Sequence, residues 1–500
     1  MTRTTLCVAG LALVVAGCVS LPSVGPDYVS PDMSDRGSYV MPDAGYPTTN
    51  RTEIGEWKPA EGAEDARTLV STNDIAGWWC RFGDAVLTNL VASAVQDNLS
   101  FQMARRRLEQ ARWSLLGSYA AFMPQVSLDG SATMTHKERY TSSQYSSWLS
   151  SGSKRSYGDI FKGGFDASWE IDIFGGSRRE TEASWAELQE AGWNLADALV
   201  SLTAEVGSEY IELRTTQQRI AVARTNLVLQ TETYEILKSR LDSGIGDELA
   251  VNQSKYTVDQ TLASIPQLLS KEEKYKNAIA VLTGDVPGAL HAMLADCPDR
   301  DWLLEPQRVA EIPLDMMRAR PDVRAAERKL AAQTARVGVA KAQWFPKLYI
   351  NGYLGVESVK ARKFLGRGDF YGSIGPSISW PIFQGGSIYA NVKAEESKMD
   401  EAFLNYEYAV QSAYQEVRDA YAAYTQEYHR YQALQGAVKA AQDAVTISND
   451  LYKNGLRDFT AVIDAQRSLL TLEESLVISR GQITLDLISL YKALGGGFSY

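Results

Sequence analysis

The sequence has little of what most enzymes and nucleic-acid binders need. Its 500 residues contain three histidines and four cysteines, and the formal net charge is -11. A chain this acidic lacks the basic face that binding to phosphate groups requires. His136, His291 and His429 are scattered, without HExxH spacing or a pair of neighbouring cysteines. We therefore predict no catalytic constellation, no metal site and no cofactor.

Long hydrophobic runs are also missing. Beyond the N-terminus no unbroken apolar stretch approaches the about 18 residues that a transmembrane helix needs. The first residues, MTRTTLCVAGLALVVAGC, combine Arg3 with an apolar segment too short to span a bilayer, which is typical of a secretory signal. The ending Val-Ala-Gly-Cys resembles a bacterial lipobox. We predict that residues 1–17 are removed and that Cys18 carries lipid, with ordinary secretory cleavage as the alternative.

The mature chain keeps few cysteines. Besides Cys18 it has Cys80 and Cys297. Export permits a disulfide between these two, but nothing in their spacing demands one, and two free thiols are the alternative.

The segment after the signal has no sustained period. It is rich in Pro, Gly, Asp, Ser and Thr, so we predict an extended lipidated leader over 18–75. A helical pattern then continues from the WWCRFGD motif (78–84) to about Phe122.

A very long helix is predicted from Ser177 to Asp242, because no proline interrupts a heptad seam there. At 1.5 Å per residue it would be about 100 Å long. The seam consists of Leu199, Val206, Leu213, Ile220, Leu227, Tyr234 and Leu241. Adding 211 to each position gives Val410, Val417, Tyr424, Tyr431, Val438, Val445 and Tyr452, which are again apolar or aromatic.

The matched seams indicate an internal duplication. Trp169 and Trp380 are also 211 residues apart (380 − 169 = 211). We predict a first repeat over 76–284, a linker over 285–319, a second repeat over 320–494 and a tail over 495–500. Each repeat would contain a helix, two strands, a long helix, a turn and a return helix.

The strands alternate between apolar and polar residues. About ten residues with one apolar face fit a strand of an outer-membrane barrel, although a soluble sandwich strand alternates in the same way. The apolar faces contain Val126, Leu128, Ala132 and Met134; then Phe165, Ala167, Trp169, Ile171 and Ile173; then Ile374, Ile378, Trp380 and Ile382.

Four strands cannot close a barrel alone, because an open sheet would leave unpaired edges in lipid. Three copies of the chain would supply twelve strands around a lumen. The predicted fold is therefore mainly helical with transmembrane strands: a trimeric 12-stranded barrel that continues into a long coiled α-helical barrel. The function that follows is conduction.

Each predicted strand-to-helix joint carries paired glycines, Gly175-Gly176 and Gly385-Gly386. They would let the chain leave a tilted strand and enter a helix without Cβ clashes. We predict Trp169 and Trp380 to be membrane-interface anchors. Two serines, Ser177 and Ser387, are the predicted N-caps of the long helices.

The chain resembles the TolC/OprM family of outer-membrane channels, and specifically the lipoproteins paired with RND-type efflux pumps. The resemblance covers nearly the whole mature chain. It rests on VGPDYVSP (24–31), WWCRFGD (78–84), RPDVRAAE (320–327), WFPKL (344–348), WPIFQGG (380–386), VIDAQRSLL (462–470) and LYKALGGGF (490–498). It implies a homotrimer in the outer membrane, with an equatorial region that would include the linker, a periplasmic adaptor and an inner-membrane pump.

The resemblance also implies a gate where the helical hairpins turn, at 243–248 and 454–459. The positions that it carries over are Tyr452, Arg457 and Asp464, with inward acids and ionic or hydrogen-bond ties closing the end. This chain departs from the pattern in two places. The family's acidic partner aligns with Ala250, two and three residues after Glu248 and Asp247, and Thr460 beside Phe459 replaces a constricting leucine.

Two other functions fit parts of the pattern. One is the outer-membrane channel of a protein secretion system, against which the lipobox and RPDVRAAE weigh. The other is a non-conducting, lipid-tethered periplasmic coiled-coil scaffold whose strands form a soluble sandwich. The alternating strands that end near tryptophan weigh against the scaffold.

Overall fold

Helices make up most of the structure, a computed structural model that describes residues 23–31, 77–133, 160–295, 314–358, 369–454 and 456–496. The helices are α1 (Ala85–Asp97), α2 (Leu99–Tyr119), α3 (Gly176–Asp242), α4 (Glu248–Thr283), α5 (Leu314–Ala319), α6 (Pro321–Ala342), α7 (Ser387–Lys453) and α8 (Thr460–Ala493). The strands are β1 (Gln125–Thr133), β2 (Ile160–Ile171), β3 (Lys347–Ser358) and β4 (Asp369–Ser379).

The two longest helices, α3 and α7, confirm the predicted seams. Each has 67 residues, and no seam position is exposed on either helix. The two helices end with the same backbone hydrogen bond. The N–H of Ile245 donates to the carbonyl of Arg240 at 3.1 Å, and the N–H of Leu456 donates to the carbonyl of Leu451 at 2.9 Å. These i to i−5 bonds are the Schellman pattern of a terminated helix. The duplication itself stays a prediction.

The predicted helix up to Phe122 is interrupted at Asn98. The Asn98 backbone is extended there, and its side-chain oxygen accepts a hydrogen bond from the N–H of Phe101 at 2.9 Å. Its amide nitrogen donates to the carbonyl of Leu282 at the same distance. Asn98 therefore caps α2 and fixes its start, which is the ordinary role of asparagine at this position.

The chain contacts divide into two compact units, and each unit takes segments from both predicted repeats. Unit 1 comprises Met1–Ser30, Glu109–Gln189 and Glu327–Leu404. Unit 2 comprises Pro31–Leu108, Glu190–Ala326 and Asn405–Tyr500.

Unit 1 contains a four-stranded antiparallel sheet in the order β1-β2-β3-β4. Its register places Phe165 opposite Leu128 on one side and Leu354 on the other, so the predicted apolar residues share one face. The last residues of the predicted alternation lie beyond the ends of the observed strands. Ile173 follows the end of β2, and Trp380 and Ile382 follow the end of β4. Pro381 has no N–H with which to extend the ladder. Met134 lies outside the described residues.

Unit 2 has its core around the WWCRFGD motif. Trp78 is fully buried, stacks on Tyr491 at 5.8 Å between ring centroids, and contacts Phe82 edge-to-face. Asp84 caps α1 through the N–H groups of Val86 and Leu87. The Asp84 carboxylate also accepts a hydrogen bond of 2.6 Å from the hydroxyl of Tyr210. The motif thus joins the start of α1 to α3 and α8.

Candidate functional site: sheet faces, joints and hairpin tips

One face of the sheet is apolar and exposed. Ile374 on β4 is 83% exposed and Leu128 on β1 is 72% exposed. Val126, Phe165, Leu354 and Ile378 are exposed on the same face. A soluble protein rarely leaves so continuous an apolar face uncovered. The exposure favours contact with lipid or with another apolar surface.

The opposite face is polar and hydrogen-bonded across the strands. Ser168 donates to the side chain of Asn351 at 3.0 Å, and Asn351 donates to Ser377 at 2.7 Å. Lys347 pairs with Glu170 at 3.1 Å. This hydroxyl, amide and carboxylate surface is suited to water, so the sheet has one face for each medium.

The strand-to-helix joints use left-handed glycines. Gly175 and Gly386 each precede a long helix with φ of 85°, and Gly385 has φ of 59°. Left-handed backbone is accessible to glycine at little cost. Gly176, in contrast, is the first residue of α3.

The predicted serine caps are wrong. Ser177 lies inside the first turn of α3, and Ser387 is the first residue of α7. At the first joint the cap is Asp172, whose carboxylate accepts a hydrogen bond of 2.9 Å from the N–H of Arg178 and forms an ion pair with its side chain. An acidic side chain at a helix N-terminus is favoured by the helix dipole.

The two predicted anchors make equivalent hydrogen bonds. The indole N–H of Trp169 donates to the carbonyl of Phe122, and that of Trp380 donates to the carbonyl of Trp344, both at 3.0 Å. Trp169, near the end of β2, is thus linked to the backbone just before β1. Trp380, directly after β4, is linked in the same way to the backbone just before β3. The N–H groups are satisfied within the chain, so an anchoring role would depend on the ring, which is 59% exposed in Trp380.

The leader contains a packed segment, residues 23–30, which we call the strap. The N–H of Val24 bonds the carbonyl of Phe174 at 3.1 Å. Asp27 forms an ion pair with the buried guanidinium of Arg179. The hydroxyl of Tyr28 donates to Glu327 at 3.1 Å, and burial together with that carboxylate raises the pKa of Tyr28 to about 12. This part of the leader therefore belongs to the folded body of unit 1.

We expect Gly25→Ala to displace the strap. Gly25 has φ of 107°, and a Cβ there would lie 2.4 Å from the Cα of Gly338. Strain of this kind costs about 1–3 kcal/mol. Hydrogen exchange at the amide of Val24 should become faster. The control is Gly117→Ala in α2, where a Cβ meets nothing within 4 Å. Unchanged protection of Val24 in the Gly25 variant would contradict the tight approach.

The hairpin tips in unit 2 contain a small apolar cluster. Phe459 and Ala250 are buried in it beside Leu237, Val462 and Ile463. The partly buried Tyr452 lies against the cluster, with its ring centroid 5.1 Å from that of Phe459 in an edge-to-face arrangement. We call this group, with Tyr452, the tip cluster. Two predicted gate residues, Tyr452 and Phe459, are thus brought together.

The other predicted gate residues are at the surface. Asp464 is exposed on α8, Arg457 is exposed in the second turn, and Thr460 is exposed at the start of α8. Glu248 is exposed at the start of α4, and Asp247 caps that helix by accepting a hydrogen bond of 3.0 Å from the N–H of Leu249. Among the described residues none of the four charged side chains in this group forms an ion pair.

A charged cluster around Arg320 was not predicted as a site. Its nearly buried guanidinium binds both carboxylate oxygens of Asp322, at 3.0 and 2.7 Å, as well as Glu416 and the carbonyl of Ala493, each at 2.7 Å. Burial, together with the carboxylate of Asp322, raises the pKa of Asp197, while Arg320 lowers it. The RPD motif signals a helix start with proline first, but its distant partners are invisible in sequence.

Several predictions cannot be compared with the structure. Cys18 and Cys297 lie outside the described residues, and Cys80 is a free, exposed thiol. Within the described ranges, no group of three or more His, Cys, Asp or Glu could hold a metal ion. In the same part of the chain, no helix is sufficiently long and apolar to cross a membrane.

A sheet with an apolar and a polar face, joined to long seamed hairpins, defines the class of outer-membrane channel proteins. Comparison with known proteins agrees. The model of the family "Outer membrane efflux protein" matches residues 90–285 and 315–496. The chain therefore belongs to this family, which is a family of outer-membrane channels and not of enzymes, and it is an outer-membrane protein with a periplasmic part.

Individual relatives cover almost the full length. Nodulation protein T of Rhizobium leguminosarum bv. viciae is 29% identical over 99% of this chain and 94% of its own. Outer membrane protein OprJ of Pseudomonas aeruginosa is 28% identical over 85% and 87%. The solved structure of the outer-membrane channel OprN has a TM-score of 0.78 and 30% identity, and the match covers 95% of this chain and 99% of that chain.

Proposed function

We propose that the protein is the exit duct of a tripartite efflux pump. Substrates would enter from a periplasmic adaptor and an inner-membrane RND-type transporter and leave through the outer membrane by passive conduction. The observation that carries the proposal is the two-faced sheet, whose exposed apolar face fits lipid and whose hydrogen-bonded polar face fits a water-filled lumen.

Closure of the sheet requires other copies of the chain. Within the described residues, β1 and β4 each have a strand partner on one side only. Unpaired edges in a bilayer leave backbone groups unsatisfied, at a cost of several kcal/mol each. Three chains would give twelve strands (3 × 4 = 12), so the homotrimer is the assembly that we propose. The matched hairpins of an internally duplicated chain would then surround a helical duct.

The strap supports a lipid anchor near the base of the sheet. Ser23 lies so close to Gly175 that a Cβ on the glycine would be 2.6 Å from the Cβ of Ser23. Cys18 is five residues earlier (23 − 18 = 5), and an extended chain of that length reaches at most about 18 Å. Acyl chains on Cys18 would therefore enter the bilayer beside the joint between β2 and α3.

The hairpin tips would form the periplasmic gate. In this proposal the tips close the duct at rest and splay like an iris when the adaptor binds. The tip cluster supports this assignment, because it joins residues of both hairpins just where the chain turns.

Conductance through planar lipid bilayers tests the duct directly. The purified, lipidated protein is expected to run as a heat-dissociable trimer in detergent and to add discrete conductance steps to the bilayer. The protein without Cys18 acylation serves as the control for the anchor and should conduct once it is inserted. A monomeric, water-soluble protein that never conducts would contradict the duct and favour the scaffold.

A further inference from the structure

The tip cluster draws on all four helices that meet at the two turns. Leu237 comes from the end of α3 and Ala250 from the start of α4, whereas Tyr452 comes from the end of α7 and Phe459 immediately precedes α8. Phe459 is 6% exposed and Ala250 is 5% exposed. The first and second hairpins of the same chain therefore meet through apolar side chains.

The aromatic pair extends this contact. Tyr452 meets Phe459 edge-to-face, with an angle of 62° between the ring planes. The guanidinium carbon of Arg240, from the first hairpin, lies 5.4 Å from the centroid of the Tyr452 ring. A cation over an aromatic ring adds to the apolar contact without requiring a carboxylate partner. Arg240 thus provides a further contact between the first and the second hairpin.

The charged side chains at the hairpin tips, unlike the apolar ones, are at the surface. Asp247, Glu248, Arg457, Asp458 and Asp464 are all exposed to solvent. In the described part of the chain none of them takes part in an ion pair. Exposed charges are screened by salt and contribute little to holding two elements together. Within one chain, the contact between the two hairpins therefore comes from the tip cluster.

We propose that Phe459 is the positioning residue that holds the tips closed, as the centre of an apolar latch between the two hairpins of each chain. This inference rests on the proposed function, because a latch has meaning only where the tips end a duct. Ala250 and Phe459 are both buried in this cluster, one from each hairpin. Opening would require the phenyl ring to leave the cluster and enter water.

The first test is Phe459→Ala in the full-length lipidated trimer. Removal of the ring leaves a void between the hairpins, so single-channel conductance in planar bilayers is expected to rise severalfold. The matched control is Leu456→Ala, which removes an apolar side chain that is 69% exposed in the same turn and should conduct like the wild type. Tyr452→Phe keeps the ring in the tip cluster and removes only the hydroxyl, so the latch predicts no severalfold rise in that variant. A hydrogen-bonded tie through Tyr452 would instead open in Tyr452→Phe.

The salt dependence of the conductance distinguishes an apolar latch from ionic ties. Between about 0.1 M and about 1 M KCl, wild-type conductance is expected to rise only in proportion to the conductivity of the solution, because apolar contacts are not screened. Arg457→Ala and Asp464→Ala should leave the closed level unchanged. If either substitution opens the channel while Phe459→Ala does not, the closing contact is ionic and the latch is wrong.

A second variant keeps the proposal testable if Phe459→Ala fails to assemble. Val462→Asp places a carboxylate in the tip cluster at a side chain that is 0% exposed, where the charged form is disfavoured. The channel is expected to be open at neutral pH and to close again as the pH is lowered and the acid takes up a proton. Wild-type conductance at neutral pH in this variant would overturn the latch. Absence of conductance in every protein, the wild type included, would instead reject the duct itself.

Discussion

Replacement of Ile374 by arginine is expected to prevent stable insertion of the protein into the outer membrane. Ile374 is the central residue of β4 and is 83% exposed on the apolar face of the sheet. Arginine on the lipid face of a barrel costs about 2–4 kcal/mol at the bilayer midplane. The proposed trimer would carry this cost three times. The measurement is the fraction of the protein that fractionates with outer membranes as a heat-dissociable oligomer.

The neighbouring position provides a matched control. Ser373 precedes Ile374 on the same strand and lies on the polar face, opposite Tyr353. Because side chains alternate along a strand, Ser373→Arg would face the lumen and should assemble normally. Equal assembly of the two arginine variants would show that neither face contacts lipid and would contradict the proposed barrel.

Arg320→Ala is expected to destabilise unit 2 by about 3 kcal/mol. The substitution removes the hydrogen bonds to Asp322, Glu416 and the Ala493 carbonyl, and it leaves Asp197 with Lys492 but without Arg320. The thermal midpoint of the detergent-solubilised protein should fall accordingly. Arg430→Ala is the control, because Arg430 pairs with Glu427 three residues earlier on an exposed helix surface, where such a pair is worth about 0.5 kcal/mol or less.

The pH dependence distinguishes an electrostatic cause from lost packing. Without Arg320, the pKa of Asp197, which burial already raises, rises further in the folded state, so Asp197 binds more protons in the folded protein than in the unfolded chain. By linkage, this part of the destabilisation relative to the wild type is full above the folded pKa of Asp197 and shrinks as the pH falls toward the unfolded pKa of about 4. A difference that stays constant from neutral to mildly acidic pH would assign the loss to packing.

Local sequence patterns were sufficient to predict the helices and strands, but they did not predict which side chains contact one another. The alternation predicted the two faces of the sheet, because strand periodicity is fixed by the backbone. The heptad spacing predicted both long helices, and the predicted start of α3 at Ser177 is within one residue of its observed start at Gly176. The serine caps failed, because Asp172 lies six residues before the N–H group that it binds. Nothing in the local pattern distinguishes Asp172, which directly follows β2, from the polar residues of that strand.

The candidate gate illustrates the same limit. The resemblance selected Tyr452, Arg457 and Asp464 by position, and the departure at Ala250 was visible in the sequence. Whether that departure left a gap or a contact depended on which side chain fills the space. The structure places Ala250 and Phe459 in the same tip cluster, so this chain has apolar side chains between its hairpins where the family pattern has a carboxylate.

By itself the sequence determined the four amphipathic strands, the two long seamed helices and the family, whereas the signal segment stays a prediction. These features repeat at short periods or occur as contiguous motifs, so they can be recognised without knowing which residues meet in space. Tertiary structure decided the docking of the strap, the partners of Arg320 and the composition of the tip cluster. The reason is distance along the chain: Arg320 binds residues 96 and 173 positions away, and only folding brings such groups together.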